Sequence, residues 1–344
     1  MKIIAEYIWH DGCDQLRGKS RTVEVKQSFL LDPKSYSEWS YDGSSTDEAK
    51  GEDSEILIRP VRVFKDPFRG GDNVLVLCDC YYPNGNPTKA NHRALANKIF
   101  NQKLNEKPWF GIEQEFFLMH VNEYSPALKL NCPYKYNEYE LEKIVQGQYY
   151  CSCGPSNAHG RNIVDEAYMK ALEAGVKCSG MNAEVAPSQW EIQVGPCEGI
   201  EAGDHLFMLR YILNRVAETH YVRIDLEPKP FENLNGSGCH VNFSTEKMRL
   251  LGGDKHILNA IEKLSKKHKE HMEVYGEGNE KRMTGKHETA DYNKFSYGVA
   301  DRGSSIRIPR NVESDKCGYF EDRRPSSNMN PYLVTSKLFD TCCL

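Results

Sequence analysis

The sequence predicts a mixed protein, α+β or α/β in class and built of two domains, on three observations. The first ~86 residues read as strands and loops, without a helical pattern. A cluster of chain breakers, Pro83, Gly85 and Pro87, follows. Beyond it, strands that carry acids or bases alternate with amphipathic helices. The domains are therefore placed at 1–86 and 87–344, a division that a chain of 344 residues can fill with two cores.

In chain order, EYIWHDG and LRGKSRTVEV are strand-like, with a turn at Asp11-Gly12 between them. SYDGSSTDEAKGEDSE is polar and rich in Gly, Ser and Asp, a loop of a length usually kept for function. EILIRPVRVFKDPF and NVLVLCDCYY are further strands. PNGNPTKANHRALANKIF opens the second domain as an amphipathic helix, with Thr88 or Asn91 as its cap. RNIVDEAYMKALEAG and HLFMLRYILNRVAETHYVRI are read as helices alternating with strands that carry acids or bases. A later charged helix has an apolar stripe of Ile257, Ile261 and Leu264, and His268 and His271 are read as part of its solvated face. No repeat or low-complexity tract interrupts the series.

The net charge of −5 argues against a general nucleic-acid binder. No apolar run approaches the ~18–20 residues of a membrane span, and the first residues alternate like a strand rather than a signal peptide. The C-terminal TCCL has Thr341 where a prenylation box needs Cys. The expected location is cytoplasmic. Of twelve cysteines, Cys78/Cys80 and Cys151/Cys153 form CxC pairs. Structural zinc mostly uses CxxC spacing, so buried reduced thiols are the favoured account.

FGIEQEFFLM carries the first functional signal. Glu113 and Glu115 alternate with Ile112, Gln114 and Phe116, so both carboxylates leave the same face of a strand. At a spacing of ~6–7 Å they repel by about 2 kcal/mol at an effective dielectric near 20. Either this is an edge strand with a solvated face, or a cation sits there. Three further segments repeat the pattern. Glu191 and Gln193 share a face in AEVAPSQWEIQVG, with Glu184 just upstream. His240, Asn242 and Ser244 share one in GSGCHVNFS, and Glu321 and Arg323 share one in GYFEDRRPSS. Strands of this kind together favour a single cavity with metal ligands Glu113, Glu115, Glu184, Glu191, His240 and Glu321.

Carboxylates with one imidazole suit hard divalent ions, Mg²⁺ or Mn²⁺, and six ligands suit two or three of them. Such clusters neutralise polyanions in phosphoryl transfer. The arginines that chemistry needs are present: Arg302 and Arg307 flank a GSS turn, and Arg323 and Arg324 follow. TGKHET is not a phosphate-binding Walker loop, because Glu280 and His287 occupy its diagnostic positions.

AEYIWHDG, SYDGSST, FKDPFRGG, WFGIEQEF, NAEVAPSQWEIQVGPCEGI, NGSGCHVNFST, TGKHET, SSIRIPR and GYFEDRRPS together resemble the eukaryotic-type (type II) glutamine synthetase family, in the family's order and over nearly the whole chain. The resemblance implies a small N-terminal β-grasp domain before a larger catalytic domain with a curved antiparallel sheet. It implies the ATP-dependent amidation of L-glutamate by ammonium through γ-glutamyl phosphate. It also implies homo-oligomers, pentameric rings paired into a decamer, with active sites between neighbouring subunits.

By that resemblance Glu115, Glu184 and Glu191 hold one ion, and Glu113, His240 and Glu321 the other. Arg302, Arg307 and Arg323 stabilise the transferring phosphoryl group. Asn233, Leu234 and Gly236, with Arg302 and Arg323, surround glutamate. Trp109, Tyr150, Asn242, Ser244 and Tyr319 surround the nucleotide, together with Glu191, Arg302 and Arg307. Asp42 reaches a neighbour's site to deprotonate ammonium, and Glu288 rides a flap that shields the acyl phosphate.

The chain departs from the family at Leu234 and Ser237, where NWNGAG is usual, and at Lys286, where Phe is common. It also starts almost at the first strand, which makes ring-on-ring packing a weaker expectation than the ring. Two other readings are a ligase joining glutamate to a different amine and a non-catalytic structural relative. Asp42 and Glu288 are both present, against the first, and no metal ligand is missing, against the second.

Overall fold

A computed structural model describes residues 1–121 and 147–344; Cys132 lies outside them. Internal contacts divide the chain into two compact units, Met1–Lys98 with Lys170–Val176, and Ile99–Met169 with Lys177–Leu344.

The first unit is a five-stranded sheet of order β2-β1-β5-β4-β3. Its strands are β1 (Lys2–His10), β2 (Leu16–Glu24), β3 (Trp39–Asp42), β4 (Glu55–Lys65) and β5 (Val74–Tyr81). β1 runs parallel to β5, and the other pairs are antiparallel. Period-two alternation puts Ile3, Ala5, Tyr7 and Trp9 of β1 on one face with Val74, Val76, Cys78 and Cys80 of β5, and that face is the core. The CxC spacing of Cys78 and Cys80 is therefore two successive inward positions of one strand. Burial, foremost, pushes the thiol of Cys78 far above its ordinary value. The same expectation fails for Cys151 and Cys153, which are exposed. They follow a turn rather than a strand, so nothing carries them inward.

Asn91 caps α1 (His92–Phe100), its side chain accepting from Ala94 N–H at 3.1 Å. The second unit is an eight-stranded, curled, mostly antiparallel sheet. Its central strand is β6 (Trp109–His120). After α2 (Arg161–Ala174) come β7 (Cys178–Ala183), β8 (Gln189–Glu198), α3 (Glu201–His220), β9 (Val222–Asp225) and β10 (Cys239–Ser244). α4 (Asp254–Lys266), β11 (Tyr297–Val299), β12 (Ile306–Ile308), β13 (Phe320–Asp322) and α5 (Pro331–Cys343) complete it. The sheet order is β11-β12-β13-β10-β6-β8-β7, with β9 also on β6.

β6 is thus paired on both edges, to β8 on one side and to β10 and then β9 on the other, which rules out the edge-strand reading of FGIEQEFFLM. Its even residues enter the core. Phe110, Phe243 and Phe320 form an aromatic ladder across β6, β10 and β13, with ring centroids 5.2 and 5.6 Å apart.

The helix after the apolar stripe corrects another expectation. α4 stops at Lys266, Lys267 leaves helical geometry at φ −113° and ψ 18°, and a separate short turn spans His268–Met272. His271 is fully buried there and His268 partly so. Stepping four and seven residues from Leu264 reaches His268 and His271, so they continue the apolar stripe instead of the solvated face.

α3 packs on α5 through Gly203, where an added Cβ would lie 2.4 Å from the Tyr332 ring. A glycine inside a helix normally gains stability on replacement by alanine, by about 1 kcal/mol. Gly203→Ala is expected to destabilise instead, by about 1–3 kcal/mol of overpacking. A lowered thermal midpoint bears this out, and a raised one rejects it.

Candidate active site

Strand register assembles the site. Glu113 stands opposite His240 of β10 and Gln193 of β8, and Glu115 opposite Glu191. Glu321 of β13 stands opposite Asn242 and Arg307. Two triads result, Glu113–His240–Glu321 and Glu115–Glu184–Glu191, each offering ligand atoms that lie within 4.8 Å of one another. Both line a cleft of about 190 Å³ together with Tyr150, Gly236, Arg282, Glu288, Arg302, Arg307 and Arg323.

Outer partners orient each ligand. Glu115 Oε2 accepts from Gly238 N–H at 2.9 Å and from Gln189 Nε2 at 3.2 Å. Asn182 donates to Glu184 at 2.8 Å, Gln193 to Glu191 at 2.7 Å and Asn242 to Glu113 at 2.8 Å. Glu321 sits between Arg323 at 2.7 Å and Arg307 at 2.5 Å. His240 Nδ1 lies 3.5 Å from both Glu113 and Glu321. Arg323 reaches further, donating to the Arg302 carbonyl at 3.2 Å and the Glu288 carbonyl at 3.3 Å.

The electrostatics of the second triad are those of a site short of positive charge. Burial, then repulsion from Glu113 and Glu184, pushes Glu191 up to about 8. Burial takes Glu184 up to about 7 against the bonds it accepts from Asn182 and the Val185 N–H. Glu115 is raised well above the carboxylate range by burial and then by Glu184 and Glu191. Burial, then Arg323, lowers His240 and keeps its ring neutral, the form in which imidazole ligates a metal. Oxygen-rich triads with a neutral imidazole fit hard divalent cations.

Other expected residues lie elsewhere. Trp109 and Ser244 are partners at the end of the β6–β10 pair, on the cleft face and four residues along from Glu113 and His240. The Arg249 guanidinium covers the Trp109 ring at 4.0 Å and donates to Ser244 Oγ at 3.0 Å. Tyr319 is half-exposed just before β13. Asn233 is exposed, whereas Leu234 packs its side chain with Phe117, Met119 and Ala186, leaving Asn235 and Gly236 to line the cleft. Asp42 belongs to the first unit, where it is exposed and accepts from Ser44 N–H, Ser44 Oγ and Ser45 Oγ. Those bonds, the Ser44 hydroxyl first, hold it at about 2 and ionised. His287 and Glu288 both adopt left-handed backbone, φ 53° and 61°, unusual for non-glycine residues and costly at each position.

Sequence reasoning missed Gln189, Asn182 and Arg282. Gln189 shares the alternation of Glu191 and Gln193 and was findable on that ground; Arg282, in the short charged helix Asn279–Arg282, gave no such signal. Among the described residues, one further group of metal-ligating types, Cys197, Glu201 and His205, is closed to a metal. His205 Nδ1 accepts the Lys177 N–H at 3.0 Å, which puts its proton on Nε2, and Lys177 Nζ pairs with Glu201 at 2.6 Å.

Carboxylate triads facing arginines across a curled sheet define an enzyme that binds divalent cations and handles polyanions. Comparison with known proteins makes the assignment specific. The model of the glutamine synthetase catalytic domain matches residues 88–262. The glutamine synthetase of Candida glabrata is 50% identical over 99% of this chain and 89% of its own length. The cytosolic isozyme of Medicago sativa is 51% identical, covering all of this chain and 94% of its own. The chloroplastic enzyme of Brassica napus is 52% identical, covering all of this chain and 78% of its own. A cryoEM structure of Plasmodium falciparum glutamine synthetase shares the fold, with a TM-score of 0.75 at 20% identity over 98% of this chain and 70% of that one. The chain belongs to the glutamine synthetase family, and its activity is that of a glutamate–ammonia ligase.

The raised carboxyls give a stability prediction with a definite sign. A carboxyl whose folded value lies above its ordinary 4.5 contributes stability that is present below that value and lost as pH rises through the folded one. The metal-free protein is therefore expected to lose stability between pH 4.5 and about 8, with Mn²⁺ restoring it increasingly over the same interval. Melting curves across that range check it, and metal-free stability that rises with pH there contradicts it.

Proposed function

We propose that this cleft makes L-glutamine from L-glutamate, ATP and ammonia through γ-glutamyl phosphate. The observation that carries the reading is the pair of ligand triads on one sheet face, bordered by Arg302, Arg307 and Arg323. Glu115, Glu184 and Glu191 would hold one ion and Glu113, His240 and Glu321 another, with two or three Mg²⁺ or Mn²⁺ in all. Bound there, such ions supply positive charge that offsets the phosphate oxygens.

A γ-carboxylate oxygen of glutamate attacks the terminal phosphorus of ATP, the bond to the bridging oxygen breaks, and ADP leaves. Arg323 is preorganised for the charge on the moving phosphoryl group, since its guanidinium is hydrogen-bonded to Glu321, and Arg307 lies beside the same carboxylate. Ammonia then attacks the acyl carbon and phosphate departs. Asp42, an exposed carboxylate at the end of β3, takes the proton from ammonium, and Glu288 keeps water from the acyl phosphate. Arg302, Arg323, Asn233, Leu234 through its backbone, and Gly236 surround glutamate. Tyr150, Asn242, Tyr319, Trp109 and Ser244 take the nucleotide along the cleft face of β6 and β10, a direction their register supports.

Asp42 acts in a neighbouring subunit's cleft, which makes the enzyme a homo-oligomer; the family likeness supports pentameric rings, paired into a decamer. The end of the first sheet at Tyr81 and the family match from residue 88 support the division at 86/87. A cytoplasmic location is supported by the Medicago sativa cytosolic isozyme.

Phosphate release and glutamine formation, measured with ATP, Mg²⁺ and glutamate with and without ammonium, test the reading. Ammonium-dependent glutamine supports it. Glutamate-dependent phosphate release that needs another amine replaces it with a different ligase, and silence on every amine points to a structural relative. Asp42→Ala is expected to lower kcat by about 10²-fold or more while ATP binding is retained. Equal loss of both removes Asp42 from ammonium deprotonation.

A further inference from the structure

β13 and the residues after it alternate in chemistry as well as direction. Glu321 and Arg323 enter the cleft, and Asp322 and Arg324 point away from it, both fully buried. Arg324 clasps Asp322 with Nε to Oδ1 at 2.8 Å and Nη2 to Oδ2 at 2.6 Å, and its backbone N–H adds a third bond at 3.1 Å. Tyr275 Oη donates to Asp322 Oδ2 at 2.7 Å. Behind the tyrosine, His271 Nδ1 lies 2.7 Å from the same Oη, and His271 Nε2 lies 2.9 Å from Thr341 Oγ1 of α5.

The chain of bonds has one sense. The only hydroxyl proton of Tyr275 is committed to the carboxylate, so His271 Nδ1 must donate to Oη, and His271 Nε2 must accept from Thr341. Donation thus runs from Thr341 through His271 and Tyr275 to Asp322, with every link buried. Burial holds His271 neutral, down at about 3, in keeping with that order.

The strand this chain ends on is short. β13 is three residues long, and its ladder pairs Glu321 and Asp322 with Asn242 and Val241 on one side and with Arg307 and Ile306 on the other. The ladder holds β13 along both edges, and what so short a strand leaves least constrained is a small roll about its own axis. A turn of ~10–20° displaces a side-chain tip beyond the tolerance of about 0.5 Å that a working site allows. Asp322 is the group that resists, because it is gripped on the far face while Glu321 and Arg323 project from the near one.

We infer that Tyr275 is a positioning residue of the reaction: by holding Asp322 it fixes the roll of β13, and with it the placement of Glu321 and Arg323 in the cleft. The inference rests on reading Glu321 as a metal ligand. Tyr275→Phe keeps the ring and removes the one oxygen that transmits the bond chain. In the full-length, metal-stripped protein, Mn²⁺ binding measured by calorimetry is expected to weaken at one site by about tenfold, the lower end of what outer partners of a ligand contribute. kcat falls with it, while the KM for ammonium stays at the parent value.

Ile261→Val, a core change in α4 that makes none of these bonds, serves as the comparison. It is expected to lower the melting temperature and leave Mn²⁺ affinity alone, so a purely structural role for Tyr275 would look like Ile261→Val. Glu321→Gln separates the two ways of failing. If Glu321→Gln binds Mn²⁺ like the parent, the reading of the site falls and the inference with it. If Glu321→Gln loses a site and folded Tyr275→Phe binds like the parent, the inference alone is overturned. Should Tyr275→Phe not accumulate as folded protein, Thr341→Val removes the first donor only. A weakening of about threefold is expected there, and parent affinity overturns the inference.

Discussion

Glu113 and Glu115 stand on a strand hydrogen-bonded along both edges, so neither can swing its backbone away from the other without breaking the ladder. Their repulsion is therefore built in, and the neighbouring strands add to it. β8 places Glu191 directly opposite Glu115, and Glu184 follows from the turn before β8. A fold that gathers this much negative charge in a partly dry cleft leaves it two outlets, proton uptake or a bound cation. The raised carboxyls of Glu115, Glu184 and Glu191 are the first outlet. The ligand geometry is the second. The first triad is balanced differently, because Arg307 and Arg323 already lean on Glu321. One sheet face thus holds a charge-starved pocket beside a charge-matched one, which suits a reaction that must take up a polyanion and pass a phosphoryl group across.

The opposite face of the same strands supplies rigidity. Phe110, Phe243 and Phe320 run as a ladder under β6, β10 and β13. Further along that face the ladder gives way to buried polar groups. Gln114 donates to the Glu115 and Ser327 carbonyls and accepts from Arg210, as Asp322 accepts from Arg324 and Tyr275. A strand with charge on one side gains from directional bonds on the other, because apolar contact resists sliding but not roll.

The constellation was legible in the sequence because strand alternation is local. Two residues apart means one face, and Glu113, Glu115, Glu191, His240 and Glu321 were found by that rule, with Glu184 added only as a neighbour just upstream. The order of strands across the sheet was not legible. Whether FGIEQEFFLM lay at an edge depended on β10, some 120 residues further along the chain, and pairing of that range leaves no local trace. His271 was misassigned because its charged neighbours outweighed the continuing step of the stripe from Leu264. Leu234 was placed around glutamate by resemblance; its side chain packs in the core, and its neighbours Asn235 and Gly236 line the cleft. Asp42 and Glu288 had no signature beyond family likeness, since a loop carboxylate acquires its role from what it approaches rather than from its own neighbours.

The inward CxC of β5 has a use of its own. Cys78 and Cys80 lie on the core face of the first sheet, and burial keeps both thiols protonated. Alkylation needs a thiolate in contact with solvent, so a reagent can reach this pair only when the sheet parts. Cys13, Cys151 and Cys153, exposed from the start, react without waiting. The molecule therefore carries an internal clock: slow labelling mapped to Cys78 and Cys80, apart from that of the other buried thiols Cys197, Cys239 and Cys343, counts the openings of its N-terminal sheet.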